Sequence, residues 1–457
     1  MKTVAYKNLG CKVNSYELDK VKQILINYGF IEKKFDSPAD IYIVNTCTVT
    51  HIADKKSRQM LHKAKKNNPK SIVIAMGCFV DNLKHEDDCI DIYIKNEDKL
   101  KIYEIIDKYI TTNNYKFIND NIETNDNINI DIENDNTIDY NDENDSKIRI
   151  FLKIQDGCNQ YCSYCIIPYV RNKLKSKTSN EIIKEVKQYT ESGIREIVLT
   201  GIHLSSYSLD FYNKKYEDVG AIDIVRQNLV DIIDKITRIN DIYRIRLGSL
   251  EPRLISEKFI LDIKNLEFND KFCQEFHLSL QSGSDNILKA MNRHYNTSLY
   301  ESACNIIRNM FDDALISTDI IVGFPNESEK DFKDSLEFVK KMNIYNPHIF
   351  KYSNREGTVA SKMKFQISDK EKNKRSEIFI NETNEISNTI RNSYLNKIVE
   401  ILVEEIVLID NKYYLSGFTK NYIKVFTEID NNNDNYIGKL INVIIIKAEK
   451  ILYGKFV

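Results

Sequence analysis

Three of the chain's nine cysteines fall within eight residues, in the stretch GCNQYCSYCIIPYVRN from Gly157 to Asn172. The spacing, three residues between Cys158 and Cys162 and two between Cys162 and Cys165, gathers soft thiolate ligands on one short loop. A structural zinc site closes with four ligands, and the nearest downstream Cys or His is the distant His203. A 4Fe-4S cluster held by three thiolates instead keeps one iron exposed, and that iron can bind a substrate group. Three more cysteines, Cys11, Cys47 and Cys78, each follow a short β-rich apolar run: KTVAYKNLGC, DIYIVNTC and SIVIAMGC. Three thiolates converging from separate loops can hold a second cluster in the same way, and spacing alone leaves three buried core cysteines as the alternative. Cys89, Cys273 and Cys304 belong to no motif and read as core residues, as do most of the seven histidines.

The elements that must position these thiols are legible around them. Helical patterns follow the first two runs, at about residues 15–28 and 51–67, and strand–helix alternation predicts a parallel sheet of βαβ units. All carboxyl ends of a parallel sheet lie on one edge, where open α/β folds hold their ligands, so Cys11, Cys47 and Cys78 are expected to meet there. Further along, strand candidates lie near residues 148–154, 196–200, 243–247, 276–280, 315–322 and 347–352, with amphipathic stretches between them. Six βα units in series predict a full or partial parallel barrel whose chemistry sits at the strand carboxyl ends. Cys158, Cys162 and Cys165 come just after its first strand. From about Glu400, short β-rich runs separated by Gly and Asn-rich turns predict a small all-β barrel.

Composition sets the outer bounds. With 457 residues and 42% hydrophobic content the chain suits two or three domains with real cores. No run approaches the roughly 18 apolar residues of a membrane span, and the first ten residues lack the apolar core of a secretory signal, so the chain reads as cytoplasmic with no membrane partner. The odd, grouped cysteines argue for metal or redox use over a disulfide framework. Between Thr111 and Ser146, 21 of 36 residues are Asn, Asp or Glu, and Lys116 is the one base. Such a tract reads as a disordered acidic linker. Without it the formal charge of -2 becomes +7, so the remainder is mildly basic.

The C-x3-C-x2-C spacing with aromatic Tyr164 before the last cysteine resembles the signature of the radical S-adenosylmethionine (SAM) superfamily. Two distant cysteine sets narrow the resemblance to the methylthiotransferases, which pair a radical SAM barrel with an amino-terminal cluster domain and end in a small nucleic-acid-binding β-barrel, TRAM. NLGCKVNSYE, VNTCTVT and GCF are similar to the amino-terminal ligand motifs, and RIRLGSLEP, HLSLQSGSD, MNRHY, STDIIVGFP and YSNREGT to barrel motifs. LGCKVN around Cys11, with ADKKSRQ, resembles the MtaB-type branch acting on N6-threonylcarbamoyladenosine at position 37 of tRNA. Asn172, Lys175, Lys177 and Asn326 depart from the family pattern, the first and last standing where glycine is usual and the lysines where arginine is.

The resemblance implies four segments: 1–110, an α/β domain with an auxiliary cluster; 111–146, the linker; 147–377, the radical SAM core, a partial β/α barrel; and 378–457, a connecting helix and a TRAM-like barrel. It implies two 4Fe-4S clusters, on Cys158, Cys162 and Cys165 and on Cys11, Cys47 and Cys78, with SAM on the first. Tyr164, Gly201, Glu251, Gln281 and Gly323, the last four at barrel strand ends, are the cofactor-pocket candidates. For RNA, Asp54 to Lys70 carries seven Lys or Arg against one acid on a predicted helix, with Lys55, Lys56, Arg58 and Lys63 as candidates; a solvated helix face is the alternative. Lys420, Tyr422 and Lys424 are expected to alternate along one strand and present a base and an aromatic to unstacked RNA. The implied activity is conversion of the threonylcarbamoyl-modified base to its 2-methylthio derivative. One SAM methylates a sulfur at the auxiliary cluster and a second yields a 5'-deoxyadenosyl radical. The partners are a tRNA anticodon loop and an external electron donor, and the sequence names no sulfur donor. The alternatives are a methylthiotransferase for isopentenyladenosine or for a ribosomal-protein aspartate, and, more distantly, a non-catalytic iron-sulfur RNA-binding or electron-transfer protein.

Overall fold

The structure is a computed structural model and describes residues 2–83, 86–112, 148–430 and 434–457. It divides into two compact units, Met1–Asp145 and Ser146–Val457. The acidic tract lies outside the described residues except at its start. There Thr111 and Thr112 end the helix Ile102–Thr112, so the helix runs two residues past the expected boundary at 110.

The first unit is a parallel five-stranded sheet in the order Ile31–Lys33, Thr3–Asn8, Ile41–Thr46, Ile72–Gly77, Ile92–Ile94. Its central strand is buried along its whole length, as expected for a parallel sheet covered on both faces. Val4, Ile41, Ile43 and Ile74 pack with Leu18, Val21 and Ile106 from the helices Lys12–Asn27 and Ile102–Thr112. On the other face Ala5, Tyr42, Val44 and Val73 pack with Leu61 and Ala64 of the helix His51–Asn67. That helix has the expected bounds because Thr50 caps it, its hydroxyl accepting from the Ala53 amide at 3.1 Å. The first helix starts earlier than the apolar pattern suggests, directly after Cys11 as its cap residue.

The second unit opens with Arg149–Asp156, which pairs in parallel with Glu196–Gly201, followed outward by Arg244–Leu247. Isolated bridges carry the sheet on to Glu275–His277 and then to Asp319–Val322 with its partner His348–Lys351. A short antiparallel strand, Lys175–Ser176, is added at the first edge, where no strand is expected from the residue pattern. The expected strand at 315–322 is two strands, Leu315–Ser317 and Asp319–Val322. The break is at Thr318, whose side chain enters the ladder: its hydroxyl donates to the Leu278 carbonyl and accepts from the Leu280 amide.

The chain then forms the helix Asp369–Asn392, which begins before the expected boundary at residue 378, and a closed barrel ordered Ile398–Ile409, Lys412–Thr419, Lys424–Ile429, Leu452–Phe456, Leu440–Ala448. The barrel is fastened to the parallel strands by a buried charged layer. Arg244 donates to the Phe418 carbonyl, Arg246 to the Lys420 carbonyl at 3.1 Å, and Arg149 pairs with Glu404 at 3.4 Å. Glu196, fully buried, accepts from Arg246 Nε at 3.1 Å.

This layer corrects one expectation. Lys420 and Tyr422 do not lie on a strand with Lys424; they sit in the tight turn before it, with Tyr422 at φ 71°. The Tyr422 ring stacks on Phe418 and lies 4.9 Å from the Arg149 guanidinium and 4.5 Å from that of Arg246. Its aromatic face is committed inside the protein.

Candidate active site

In the first unit the three cysteines follow three adjacent strands at the carboxyl edge of the sheet. Cys11 caps the helix Lys12–Asn27, Cys47 follows Ile41–Thr46, and Cys78 opens the short helix Cys78–Asp81. A thiolate at Cys11 would face the partial positive charge of a helix amino terminus. The three thiols are electrostatic neighbours: burial, reinforced by Cys78 and Cys11, pushes the Cys47 thiol up to about 12. A network of asparagines fixes the loops. Asn8 donates to the Ser15 hydroxyl at 2.7 Å, Asn14 to the Thr46 carbonyl at 3.0 Å, and Asn45 to the Asn14 carbonyl at 2.7 Å. Gly77 has φ 108°, and a Cβ there would stand 2.5 Å from the Thr46 carbonyl, so only glycine lets the Cys78 loop approach the Cys47 loop. Asn96 reaches Cys78 Sγ at 3.6 Å.

In the second unit Cys158, Cys162 and Cys165 occupy the loop after Arg149–Asp156, on the carboxyl side of the barrel. Gly157, at φ 78°, packs so tightly on Lys173 that a side chain would overlap its carbonyl, and the Cys158 amide donates to the Arg171 carbonyl. The Ser163 amide donates to the Met291 carbonyl, the Ala360 amide to the Ser163 carbonyl, and Asn292 Nδ2 to the Tyr161 carbonyl at 3.1 Å. Burial pushes the Cys158 thiol up to about 12 and Cys165 higher, with Cys162 adding to both and Arg293 opposing both. Arg293 Nη1 donates to Cys162 Sγ at 3.0 Å, while its Nε donates to Tyr295 Oη at 3.0 Å. Three clustered soft donors beside one fixed guanidinium fit an iron-sulfur cluster with an open iron.

The expected pocket residues separate into two groups. Glu251 is buried at the end of the third strand, where Arg253 holds its carboxylate at 2.5 and 2.8 Å and also reaches Gln160 of the cysteine loop at 3.3 Å. His203 approaches Glu251 at 3.8 Å, and burial pulls its imidazole down to about 4, so the ring is neutral near pH 7. Gly201 leaves room for Gln155: a Cβ would stand 2.7 Å from Oε1, which accepts from the His203 amide at 2.8 Å. Tyr164 packs on the cluster of Ile287, Met291, Phe324 and Tyr352, with Cys162 and Cys165 as electrostatic neighbours. Gln281 is buried with φ 70°, its backbone joined to Asp319 and Ile321. Gly323 stands apart, because the space beside its Cα is filled by Lys372 of the long helix and its amide donates to Glu327 at 2.7 Å. Gln155, Gln160, Arg253 and Arg293 were missed from the sequence; the signal present was their position inside or beside the quoted motifs.

The departures also find a place. Asn326 has φ 66°, a left-handed conformation that asparagine tolerates better than other residues with a side chain. Lys177 pairs with Glu185 at 2.5 Å, and Lys175 and Asn172 are exposed. On the basic helix Lys55 is exposed, Lys56 half-buried, Lys63 pairs with Asp36 at 2.7 Å, and Arg58 lies over Phe79.

A partial barrel of parallel strands with three thiols on the loop after its first full strand defines a radical SAM core, and residues 152–339 match the Radical SAM superfamily. The superfamily uses a 4Fe-4S cluster with SAM. Residues 3–93 match the family described as Uncharacterized protein family UPF0004. The chain is 33% identical over 98% of its length to a threonylcarbamoyladenosine tRNA methylthiotransferase MtaB of Bacillus subtilis, covering 94% of that protein. It is 34% identical over 97% of its length to the protein of that name from Aquifex aeolicus, covering all of it. It is also 33% identical over 96% of its length to a tRNA-2-methylthio-N(6)-dimethylallyladenosine synthase of Alkaliphilus oremlandii, covering 89% of it. The chain therefore belongs to the radical SAM methylthiotransferases of tRNA. Its fold is also like that of the radical SAM methyltransferase TsrM of Kitasatospora setae, at TM-score 0.51 and 12% identity, covering 77% of this chain and 73% of that one. Among the described residues no helix is long and apolar enough to cross a membrane.

Proposed function

We propose that this enzyme converts N6-threonylcarbamoyladenosine at position 37 of tRNA to its 2-methylthio derivative, acting in the cytoplasm with an external electron donor. The observation that carries the reading is near-full-length identity to two relatives that bear this substrate in their names, joined to three thiols at the carboxyl edge of each parallel sheet. In this reading Cys158, Cys162 and Cys165 hold the cluster that binds SAM, and Cys11, Cys47 and Cys78 hold a second 4Fe-4S cluster. Loaded in this way, the groups supply a 5'-deoxyadenosyl radical and a transferable methylthio unit.

The chain's own residues position and shield that chemistry. Arg293 steadies Cys162 through a charge-assisted hydrogen bond, and the Glu251–Arg253 pair ties the third strand to the cysteine loop at Gln160. Tyr164, Gly201, Glu251, Gln281 and Gly323 serve the SAM pocket, Gly323 by shaping the turn. Lys55, Lys56, Arg58 and Lys63 meet the RNA backbone, with Lys420 and Lys424 on the small barrel.

The relatives named for dimethylallyladenosine are nearly as similar, so the base modification is what an experiment must decide. The assay is turnover on anticodon stem-loops carrying threonylcarbamoyl- or isopentenyl-modified adenosine, read by nucleoside mass spectrometry. Methylthiolation of the first alone is expected, because a pocket built to hydrogen-bond the threonylcarbamoyl group is left with unpaired polar groups by the other. Equal turnover on the isopentenyl loop would overturn the substrate assignment.

A further inference from the structure

A second set of ligand-type side chains, outside the network around the cysteines, is built by strand register. Asp319 and His348 are direct partners in a parallel pair, so their side chains share a face, and His277 is the partner of Ser317, two residues before Asp319. His277 Nε2 stands 3.4 Å from one Asp319 oxygen and His348 Nδ1 3.2 Å from the other. One ligand atom from each residue lies within 4.8 Å of the other two.

The hydrogen bonds behind the cluster decide which nitrogen of His277 faces it. Ser317 Oγ donates its single proton to Glu275 Oε1 at 2.9 Å. At 2.9 Å from His277 Nδ1 it can then only accept, so Nδ1 carries the hydrogen and the lone pair of a neutral ring lies on Nε2. That lone pair faces the Asp319 carboxylate, an arrangement that calls for a cation between them. Ligand atoms held about 2.0–2.1 Å from a tetrahedral ion stand roughly 3.3–3.4 Å apart; each imidazole lies at about that distance from its nearer carboxylate oxygen, and drawing one oxygen to both rings needs only a small turn of the Asp319 carboxylate. The Glu275–Ser317–His277 relay is the outer support by which metal-bound histidines are oriented. His277 is buried, whereas the Asp319 and His348 side chains are 29% and 51% exposed, which gives an ion a way in.

We propose that His277, Asp319 and His348 bind a divalent transition-metal ion of the zinc class, with its fourth coordination position open to solvent. Two imidazoles and one carboxylate are a donor set for such an ion. The site is independent of which modified base the enzyme accepts.

The test uses the full chain with its iron-sulfur clusters reconstituted, so that the six motif cysteines are occupied. After incubation with Zn2+ and removal of the excess, bound zinc is counted per chain beside iron, and zinc-edge X-ray absorption reports the ligands. One zinc in a nitrogen and oxygen shell is expected. His348→Ala, at an exposed position that leaves the core intact, should weaken binding at least about tenfold with iron unchanged, and Ser317→Ala should weaken it roughly 10–100-fold. Absence of stoichiometric zinc, a sulfur shell, or the same affinity in His348→Ala and Asp319→Asn would overturn the proposal and leave a proton as the cation between His277 and Asp319.

Discussion

Arg293 offers a direct test of the geometry around Cys162. Its Nη1 donates to Cys162 Sγ at 3.0 Å, and the guanidinium is held from behind by Tyr295. Hydrogen bonds to charged groups contribute about 1.5–3 kcal/mol, which for a one-electron couple corresponds to roughly 60–130 mV. The bond persists in both oxidation states of a cluster on Cys158, Cys162 and Cys165, so only its strengthening on reduction moves the potential. With roughly half of the bond energy differential, Arg293→Met should lower the midpoint on the order of 30–60 mV. Arg293→Lys keeps the charge but loses the fork that reaches both Cys162 and Tyr295, and should fall between. The fold should survive, because Tyr295 Oη keeps its donation to the Ser279 carbonyl at 2.5 Å. The assay is an EPR-monitored redox titration in a background where Cys11, Cys47 and Cys78 are alanine, so that any signal comes from the cysteine loop of the second unit. A midpoint in Arg293→Met indistinguishable from the parent, at equal iron content, would refute the electrostatic role.

Two further outcomes concern the buried charged layer. Glu196→Gln removes the one fully buried carboxylate of this layer, leaving Arg246 with Glu275 at 3.5 Å and Arg149 with Glu404 at 3.4 Å as their remaining carboxylate partners, and should cost up to about 3 kcal/mol, lowering the thermal midpoint on the order of 5–10 °C; an unchanged midpoint would mean that the arginines do not depend on Glu196. Burial pushes the Glu404 carboxyl from 4.5 up to about 7. The folded state thus holds this proton more tightly than the unfolded chain. The associated stability is complete below about pH 4.5 and is lost as pH rises through about 7. Glu404→Gln, permanently neutral, should flatten that loss in urea unfolding curves across this range, and an identical pH dependence in both proteins would contradict it.

What the sequence disclosed and what it withheld follow from the range of the interactions involved. The strand runs before Cys11, Cys47, Cys78 and Cys158, and the helix His51–Asn67 with its Thr50 cap, are set by local periodicity and neighbouring residues, and each lies where the pattern predicts. Residues that act across the barrel carry no such local signal. Arg293 meets Cys162 across 131 positions, and Lys372 closes over Gly323 from a helix much later in the chain. Gln155 read as an ordinary strand residue, yet its amide is the reason Gly201 must lack a side chain. The histidines are a related case, since His277 reads as a core residue and only the register of four strands brings it to Asp319 and His348.

Tyr422 shows how an alternating pattern misleads. Lys-x-Tyr-x-Lys predicts one face of a strand only if the strand continues, and here the chain reverses between Thr419 and Lys424. The reversal needs a left-handed residue, which Tyr422 supplies at φ 71°, so its ring is carried onto Phe418 and the arginine layer rather than outward. The enabling partners are Arg149 and Arg246, buried arginines on strands that also carry the core residues Phe151, Leu152, Ile154, Ile245 and Leu247. A charged residue at a position that should be apolar is the sequence's mark of a second domain packed behind the sheet, because a buried guanidinium persists only where carbonyls, carboxylates and aromatic faces meet it. The RIRL and KIRIFLKI segments carry that mark, and the small barrel supplies all three kinds of partner: the Phe418 and Lys420 carbonyls, Glu404, and the rings of Phe418 and Tyr422.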